Sequence, residues 1–504
     1  MAATLSSASL LYATLALLTP QQAAPSYSAL LSLSENISCK VTPDDAAWPS
    51  TSTCTVSLAA YCYSSWPEYD STKCKVVSDN WTVSYIHVAD PTSIMWPLYE
   101  GRTCLHCRTA VNVSSVAQIQ LAVNFSRNTG IRLVVKNTGY IFNGKSTDIQ
   151  YYEDYQVHGY RGPAVKMGVG VQASEIYAMA KELGFTAVGC ESKSVSVAGG
   201  FVLGGGPSPM SSIYGLAADQ VLALEVVLGN GRFVTVTAET NLDLFWALRG
   251  GGGNTYGIVT SIISRIHPKV GVTTSTFNFA ISGNVTEDTF WAGVRAYVDR
   301  FAVNADAGTY AHFWDKLFNA LMHPWFDELD HLGIPYTPDT KYRGNSYDAW
   351  DVVFPLEAVA STAMVAGSRL FLRANWEDAS LLNKTFDALK ITVTAGYTLT
   401  AFSSKAELAD GYPESFANPA FRKTHLHAIT STSWTANYMN TQIHDRMEHF
   451  ASAGAYMLEA NTLEPNFQLS FHGSNYERLY KIKQKYGPSG LPYAPPELVV
   501  RTGR

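Results

Sequence analysis

Between Ser114 and Gly130 the apolar residues Val116, Ile119 and Val123 recur at helical spacing, Ser115 and Gln118 stand at capping-box distance, and Gly130 offers a stop. The spacing predicts a helix. The β-branched run Ile131–Val135, bounded by Asn137, Thr138 and Gly139, predicts a strand opening into a loop rich in glycine and hydroxyls that ends at Ser146. Ala164–Val171 predicts a second strand, and Ser174–Leu183, closed by Gly184, a second helix. A hairpin is expected where Leu224–Leu228 and Arg232–Thr237 flank Gly229, Asn230 and Gly231. Asn241 then stands where it caps a helix over Leu242–Leu248. The alternation of β with α describes an α+β or α/β domain.

Past Pro268 the pattern changes. Phe290, Val294, Tyr297 and Phe301 follow at spacings of four, three and four, the stripe of a longer amphipathic helix. Strand-like Thr274–Ile281 and Arg369–Ala374 alternate with helices expected near 286–302, 378–390 and 441–452. No internal repeat is evident, and a domain boundary is placed near residue 270.

A chain of 504 residues has room for two or three domains, and 46% hydrophobic residues exclude a disordered chain. The formal charge of −6, with no basic cluster, argues against a nucleic-acid surface. Residues 1–23 carry no acid or base, run apolar through Leu10–Leu18 and end on small residues, the pattern of a cleaved secretory signal. No later stretch is long enough to span a bilayer. Asn36, Asn80, Asn112, Asn124, Asn284 and Asn383 head glycosylation triplets. Cys39, Cys54, Cys62, Cys74, Cys104 and Cys107 crowd the front of the chain, with Cys190 apart, so a disulfide region in an oxidising compartment is expected. Six cysteines allow 15 pairings, and spacing chooses none. Cys104 and Cys107 lack the second pair or the spaced histidines of a zinc site, and a structural disulfide role is preferred for them.

Gly168, Gly170 and Ala173 imitate a dinucleotide fingerprint, and Glu191 lies about 20 residues on, as that fingerprint's ribose acid does. The pattern lies mid-domain among other glycine loops, and is set aside. His425 and His427 could share a strand face but have no third ligand, and read as a structural pair; no metal is expected. No metalloprotease, P-loop or nucleophile-elbow motif is present. Three glycine-rich loops, 137–146, 199–206 and 250–257, would turn many backbone N–H groups toward a polyanion, and point to a large phosphate-bearing cofactor.

Those loops, with Trp48-Pro-Ser50, Ser93–Pro97, Ile131–Gly139, Gly199–Gly206, Tyr214–Asp219, Leu244–Gly253 and Phe471–Tyr476, resemble the FAD-linked oxidases of the vanillyl-alcohol-oxidase and berberine-bridge-enzyme-like family, in particular its secreted fungal branch. The resemblance implies an α+β fold, a PCMH-type FAD-binding domain of two α+β subdomains with an inserted substrate domain of antiparallel sheet and helices. It divides the chain into a signal peptide (1–23), a cysteine-rich region (24–87), an FAD-binding domain (88–270), a substrate domain (271–455) and a C-terminal segment completing the FAD domain (456–504). It implies FAD as cofactor, with Asn137, Thr138, Gly139, Tyr140, Gly144 and Ser146 at the pyrophosphate, and Gly199, Gly200, Gly204, Gly205, Tyr214, Gly215 and Asp219 along the flavin. Gly257 and Val259 fall toward the adenosine, and Asn475 near the isoalloxazine.

The chain departs from the family pattern at several points. Tyr140 replaces the histidine that links to the flavin, so noncovalent FAD is expected. Ser192 falls where some relatives carry a linking cysteine, and Cys190 lies two residues early; Pro207 and Leu458 replace a histidine and an asparagine. The chain is short between Cys107 and Val111, between Asp148 and Gly162, and around 52–60; the second of these would remove a strand or hairpin beside the pyrophosphate loop. Glu459, with Tyr456 on the same segment, is the candidate catalytic base. The resemblance thus implies a secreted oxidase that takes a small alcohol or secondary-metabolite intermediate and O2, and releases H2O2. A non-redox cyclase or isomerase, or an inactive relative, are the alternatives.

Overall fold

The computed structural model describes residues 58–491 apart from 91, 94–110, 112, 132, 138–147, 254, 309–314, 358, 360–363, 434–453, 461–463, 465 and 489–490. The expected signal peptide and the helix near 441–452 lie outside the described residues, as do Cys39, Cys54, Cys104 and Cys107. Cys62 and Cys74 form a disulfide.

The expected helix is present as α1 (Val116–Thr129): the Ser115 side chain accepts from the Gln118 N–H, and Gly130 ends the helix in the left-handed region. Five antiparallel strands follow, β1 (Ile149–Val157), β2 (Tyr160–Gly168), β3 (Val221–Val227), β4 (Phe233–Thr237) and β5 (Ile258–Arg265), in the order β1-β2-β5-β3-β4. Covered on both faces, the central strands β3 and β5 are almost continuously buried, whereas the edge strand β1 is mostly exposed. Between β2 and β3 lies α2 (Ala173–Leu183), closed by left-handed Gly184; after β4 comes α3 (Leu242–Leu248).

Three expectations change here, and one discounted motif is excluded. Ile131–Val135 forms no strand: beyond a bridge at Ile131 the described part, Leu133–Asn137, pairs with nothing, and Leu133 and Val135 pack against Val123, Val227 and Ile258. A β-branched run folds as a strand only where a partner edge is offered, and this one lies over the helix side of the sheet. Asn241 starts α3 through its left-handed backbone (φ 55°), while its side chain bonds the Thr235 carbonyl instead of capping. The hairpin expected to be lost between Asp148 and Gly162 is in place as β1-β2. Gly168–Ala173 joins an antiparallel strand to a helix, which excludes the parallel dinucleotide unit.

The second half carries β6 (Val272–Thr276) paired with β7 (Asp339–Arg343), and a three-stranded antiparallel sheet of β8 (Met364–Leu372), β9 (Thr398–Ser403) and β10 (Thr424–Ser433) in the order β8-β10-β9. The strand expected over Thr274–Ile281 is thus shorter and earlier: from Phe277 onward the chain turns into an aromatic cluster with Trp325, Phe326 and Tyr336, where ring packing outcompetes pairing. The helices are α4 (Glu287–Val298), α5 (Asp315–His331), α6 (Ser346–Val353) and α7 (Ala379–Thr394). Leu426 and Ala428 of β10 bury one sheet face against Trp291 of α4 and Phe386 of α7, and leave the alternate positions His425 and His427 on the other.

The chain then returns to its first half. Ala455, Met457 and Phe471, with Leu479 and Ile482 of α8 (Tyr476–Tyr486), join the core formed by β3, β5, α2 and α3. Buried ion pairs fasten the halves: Arg422 holds Asp219 through two bonds of 2.6 and 2.7 Å, and Arg369 holds Glu464 at 3.0 and 3.2 Å. No described helix is long and apolar enough to cross a membrane.

Candidate active site

The glycine loop between α2 and β3 forms one wall. Val197–Phe201 winds as a π-turn broken at Gly199 (φ −93°, ψ −135°), and every residue from Ser196 to Gly206 is buried. Side chains here would force neighbours to shift: a Cβ on Gly204 would lie 2.6 Å from Leu458 Cδ1, and on Gly206, at φ +69°, 2.8 Å from Ala217 Cβ. A Cβ on Gly199 would strike the Asn137 side chain. Asn137 and Ser196 both donate to the Val169 carbonyl, and the buried Asn137 Oδ1 has no partner among the described residues. Asn137 thus stands at the root of the segment carrying Thr138, Gly139, Tyr140, Gly144 and Ser146, which itself lies outside the described residues.

Tyr214–Asp219 packs beside this wall. Tyr214 stacks on His267 at 3.7 Å between centroids, and Gly205 and Gly206 carbonyls receive the N–H groups of Ala218 and Ala217. Asp219, 2% exposed, spends its carboxylate on Arg422 and on the Leu216 N–H, so it shapes the loop. Asn475 donates to the Phe416 carbonyl, Gly257 allows its chain to pass Val226 of β3, and Val259 is buried on β5.

Opposite stands the polar face of the three-stranded sheet with Tyr456–Glu459 against it. His427, in register with Leu370 and Phe402, is 6% exposed; Tyr456 is 3% exposed and meets the His427 ring edge-on at 5.9 Å. Neither His427 Nε2 nor the Tyr456 hydroxyl has a hydrogen-bond partner among the described residues. Glu459 Oε2 lies 3.7 Å from His427 Nδ1. Its side chain keeps 41% of its accessible surface, yet desolvation by the surrounding protein pushes its pKa up to about 7. Burial lowers the His427 imidazole to about 4, so it is neutral, and raises the Tyr456 phenol, with the Glu459 charge adding to the effect, so it is a donor and not a base. His425 belongs to a different network, 3.2 Å from Arg373, which binds Asp306 at 2.7 Å.

Glu191, set aside in the sequence with the discarded fingerprint, carries a perturbed carboxyl. Desolvation, and then the Glu459 charge, raise its carboxyl to about 8. Cys190 beside it is buried, donates to the Ser192 carbonyl at 3.5 Å, and is pushed far above the ordinary thiol range. Proximity of His427 to Glu459 has no signature in local sequence. No group of residues suited to a metal occurs among the described residues.

The arrangement fits a flavin nucleotide. Cβ atoms on Gly199, Gly204 and Gly206 would crowd neighbouring residues within 3 Å, a buried amide oxygen has no partner among the described residues, and a facing set of one carboxyl, one phenol and one neutral imidazole suits a flat ring with substrate above it.

Residues 108–237 match the family of FAD binding domains. The chain is 31% identical over 541 aligned positions to the FAD-linked oxidoreductase sor8 of Hypocrea jecorina, covering 94% of this chain and 93% of that one. It is 29% identical to the VAO-type flavoprotein oxidase VAO615 of Thermothelomyces thermophilus, covering 90% and 92%. The crystal structure of the VAO-type flavoprotein MtVAO615 from Myceliophthora thermophila superposes with a TM-score of 0.81 at 28% identity, over 92% of this chain and 97% of that one. Full-length likeness in sequence and fold, on a site shaped for a flavin, makes this chain a member of the FAD-linked oxidoreductases of the vanillyl-alcohol-oxidase and berberine-bridge-enzyme-like family, with FAD as its cofactor.

Proposed function

We propose that the protein is a secreted FAD-dependent oxidase that converts a small, largely apolar alcohol or secondary-metabolite intermediate and passes the electrons to O2. The observation that carries this reading is Glu459: a carboxyl beside neutral His427 and protonated Tyr456, tuned by desolvation to accept a proton near neutral pH. Bound FAD supplies hydride acceptance and reaction with O2. Asn137 and the segment to Ser146 would hold the pyrophosphate, Gly199, Gly200, Gly204, Gly205, Tyr214 and Gly215 would flank the ring system, Asp219 would fix that wall, and Gly257, Val259 and Asn475 would complete the cradle.

In this reading Glu459 takes the substrate's hydroxyl proton, and Tyr456 donates a hydrogen bond to the oxygen that is losing it. His427 orients Glu459, and Leu458 and Phe402 keep the recess apolar. With Tyr140 in place of a linking histidine, the FAD is dissociable. The test is the absorbance spectrum of secreted, purified protein, followed by acid precipitation and a peroxide screen over alcohols. Flavin bands that move to the supernatant, with peroxide formed, support the proposal; a colourless protein that fails to take up FAD, or turnover without oxygen uptake, overturns it.

A further inference from the structure

Asn137 is 4% exposed and is fixed from two sides. Its chain neighbour Lys136 donates to the carbonyls of His87 and Asp90. Its own amide N–H donates to the carbonyl of Val169, and the Val169 N–H is taken by the Thr260 carbonyl of β5 at 3.1 Å, so the central sheet holds that acceptor still. The same bond fixes which end of the amide is which, because the side chain turned over would set oxygen against oxygen. The Ser196 hydroxyl gives its single proton to the Val169 carbonyl too, and has none left for Asn137. Asn137 Oδ1, which can only accept, is thereby left buried with no partner among the described residues. Gly199 stands on the third side: a Cβ there would lie 3.0 Å from Ser196 Oγ and 3.5 Å from Asn137 Cγ, and would strike the amide nitrogen. The amide reaches the glycine wall because position 199 carries no side chain.

We propose that Asn137 Oδ1 accepts a hydrogen bond from a hydroxyl of the FAD ribityl chain, so that this side chain reads the sugar alcohol and not the diphosphate. The inference rests on the cradle described under the proposed function and deepens it, since position in the motif alone puts Asn137 with the pyrophosphate. The need for a donor decides against the phosphates. A diphosphate diester holds no proton in the neutral range, its oxygens only accept, and they cannot satisfy an amide oxygen. FAD has donors in its ribityl hydroxyls, in N3–H of the isoalloxazine, and at the adenosine end. Position selects among them. Along the chain Asn137 leads directly into the segment that would hold the pyrophosphate, and across space it abuts Gly199, which would flank the ring. The ribityl chain is the part of FAD that joins diphosphate to ring, whereas N3–H lies at the far edge of the ring and the adenosine lies beyond the diphosphate. The bond to Val169 keeps Oδ1 from turning away, so the acceptor stands ready before the cofactor arrives. The site then selects a flavin that carries a polyol.

The test is calorimetric titration of the full-length protein, stripped of FAD by dialysis against potassium bromide, with FAD, riboflavin, lumiflavin and ADP-ribose, in wild type and N137L. It needs no substrate. Riboflavin has the ribityl chain without phosphate, lumiflavin the ring alone, and ADP-ribose the diphosphate and adenosine without the flavin. N137L keeps roughly the volume of the side chain, and the Val169 carbonyl keeps the Ser196 hydroxyl. The variant should weaken FAD and riboflavin by the same factor, about tenfold, and leave lumiflavin and ADP-ribose within about threefold of wild type. A loss confined to FAD and ADP-ribose assigns the amide to the diphosphate or the adenosine, and a loss shared by lumiflavin assigns it to N3–H; either overturns the proposal. If N137L does not fold, infrared spectra of wild type labelled with 13C-asparagine read the same bond. One amide C=O band at the high frequency of an unpaired carbonyl should move down when riboflavin is added and stay when ADP-ribose is added, and a set of bands that riboflavin leaves unmoved overturns the proposal. Failure of the cradle itself looks different: every ligand then binds N137L as it binds wild type.

Discussion

Replacing Glu459 by glutamine keeps its volume and removes its capacity to take a proton. A general base contributes about 10²–10⁴-fold to a rate, so kcat/KM should fall by that factor, which is about 3–5 kcal/mol of barrier. Wild type supplies the internal check. With the carboxyl raised to about 7 from an ordinary 4.5, its ionised fraction grows about fiftyfold between pH 5 and pH 7, whereas an ordinary glutamate would change less than about twofold over that span. The sign follows from desolvation: the recess disfavours the charged form, so activity is lost on acidification well above the usual carboxylate range. The assay is initial peroxide formation at subsaturating alcohol, with FAD content measured at each pH to exclude cofactor loss. A flat acid limb from pH 5 to pH 7, or E459Q activity within about threefold of wild type, would refute Glu459 as the base.

Other consequences follow from the packing. Arg422→Met leaves Asp219 buried without its cation and should cost about 3–5 kcal/mol, while the double replacement R422M/D219L should recover most of it; thermal unfolding of both reads the difference. Gly250→Ala should lower stability by about 2 kcal/mol or more, since Gly250 has φ +113° and a Cβ there would lie 2.6 Å from the Ala417 backbone; Gly159→Ala, at φ +70° with open space, should cost only about 1 kcal/mol. Cys190 should resist alkylation in the native protein and react after unfolding, as peptide mapping would show. Tyr140→His should convert FAD to a form retained in the acid precipitate, and free FAD in the supernatant of that variant would count against the assignment of the pyrophosphate loop.

Local signals were legible where the chain decides locally. Ser115, Gln118 and Gly130 mark α1 because caps satisfy backbone groups within one turn, and Gly231 marks the β3-β4 hairpin through its positive φ. Ile131–Val135 misleads because β-branching states a preference while a strand requires a partner, and Phe277–Ile281 because its aromatic residues have a better cluster to join. Glu459 could be reached through a motif. His427 could not, because what brings it to Glu459 is the docking of the returning C-terminal chain against β10.

The protonation states of the recess also decide what it can bind. A buried polar atom left unpaired costs about 1–3 kcal/mol, and among the described residues neither the Tyr456 hydroxyl nor His427 Nε2 has a partner. Tyr456 can only donate usefully, since its phenol does not ionise. His427 carries one proton, and its place depends on Glu459: an ionised carboxylate 3.7 Å away favours the proton on Nδ1, which turns Nε2 into an acceptor. That separation is too long for a hydrogen bond as it stands, and a movement of less than about 1 Å, of the kind apo sites undergo when substrate arrives, closes it. When Glu459 accepts the substrate's proton it can donate in turn to Nδ1, and the imidazole proton then belongs on Nε2, so that the acceptor facing the recess becomes a donor. In the proposed reaction, proton transfer at Glu459 thereby reverses the hydrogen-bonding sense of His427.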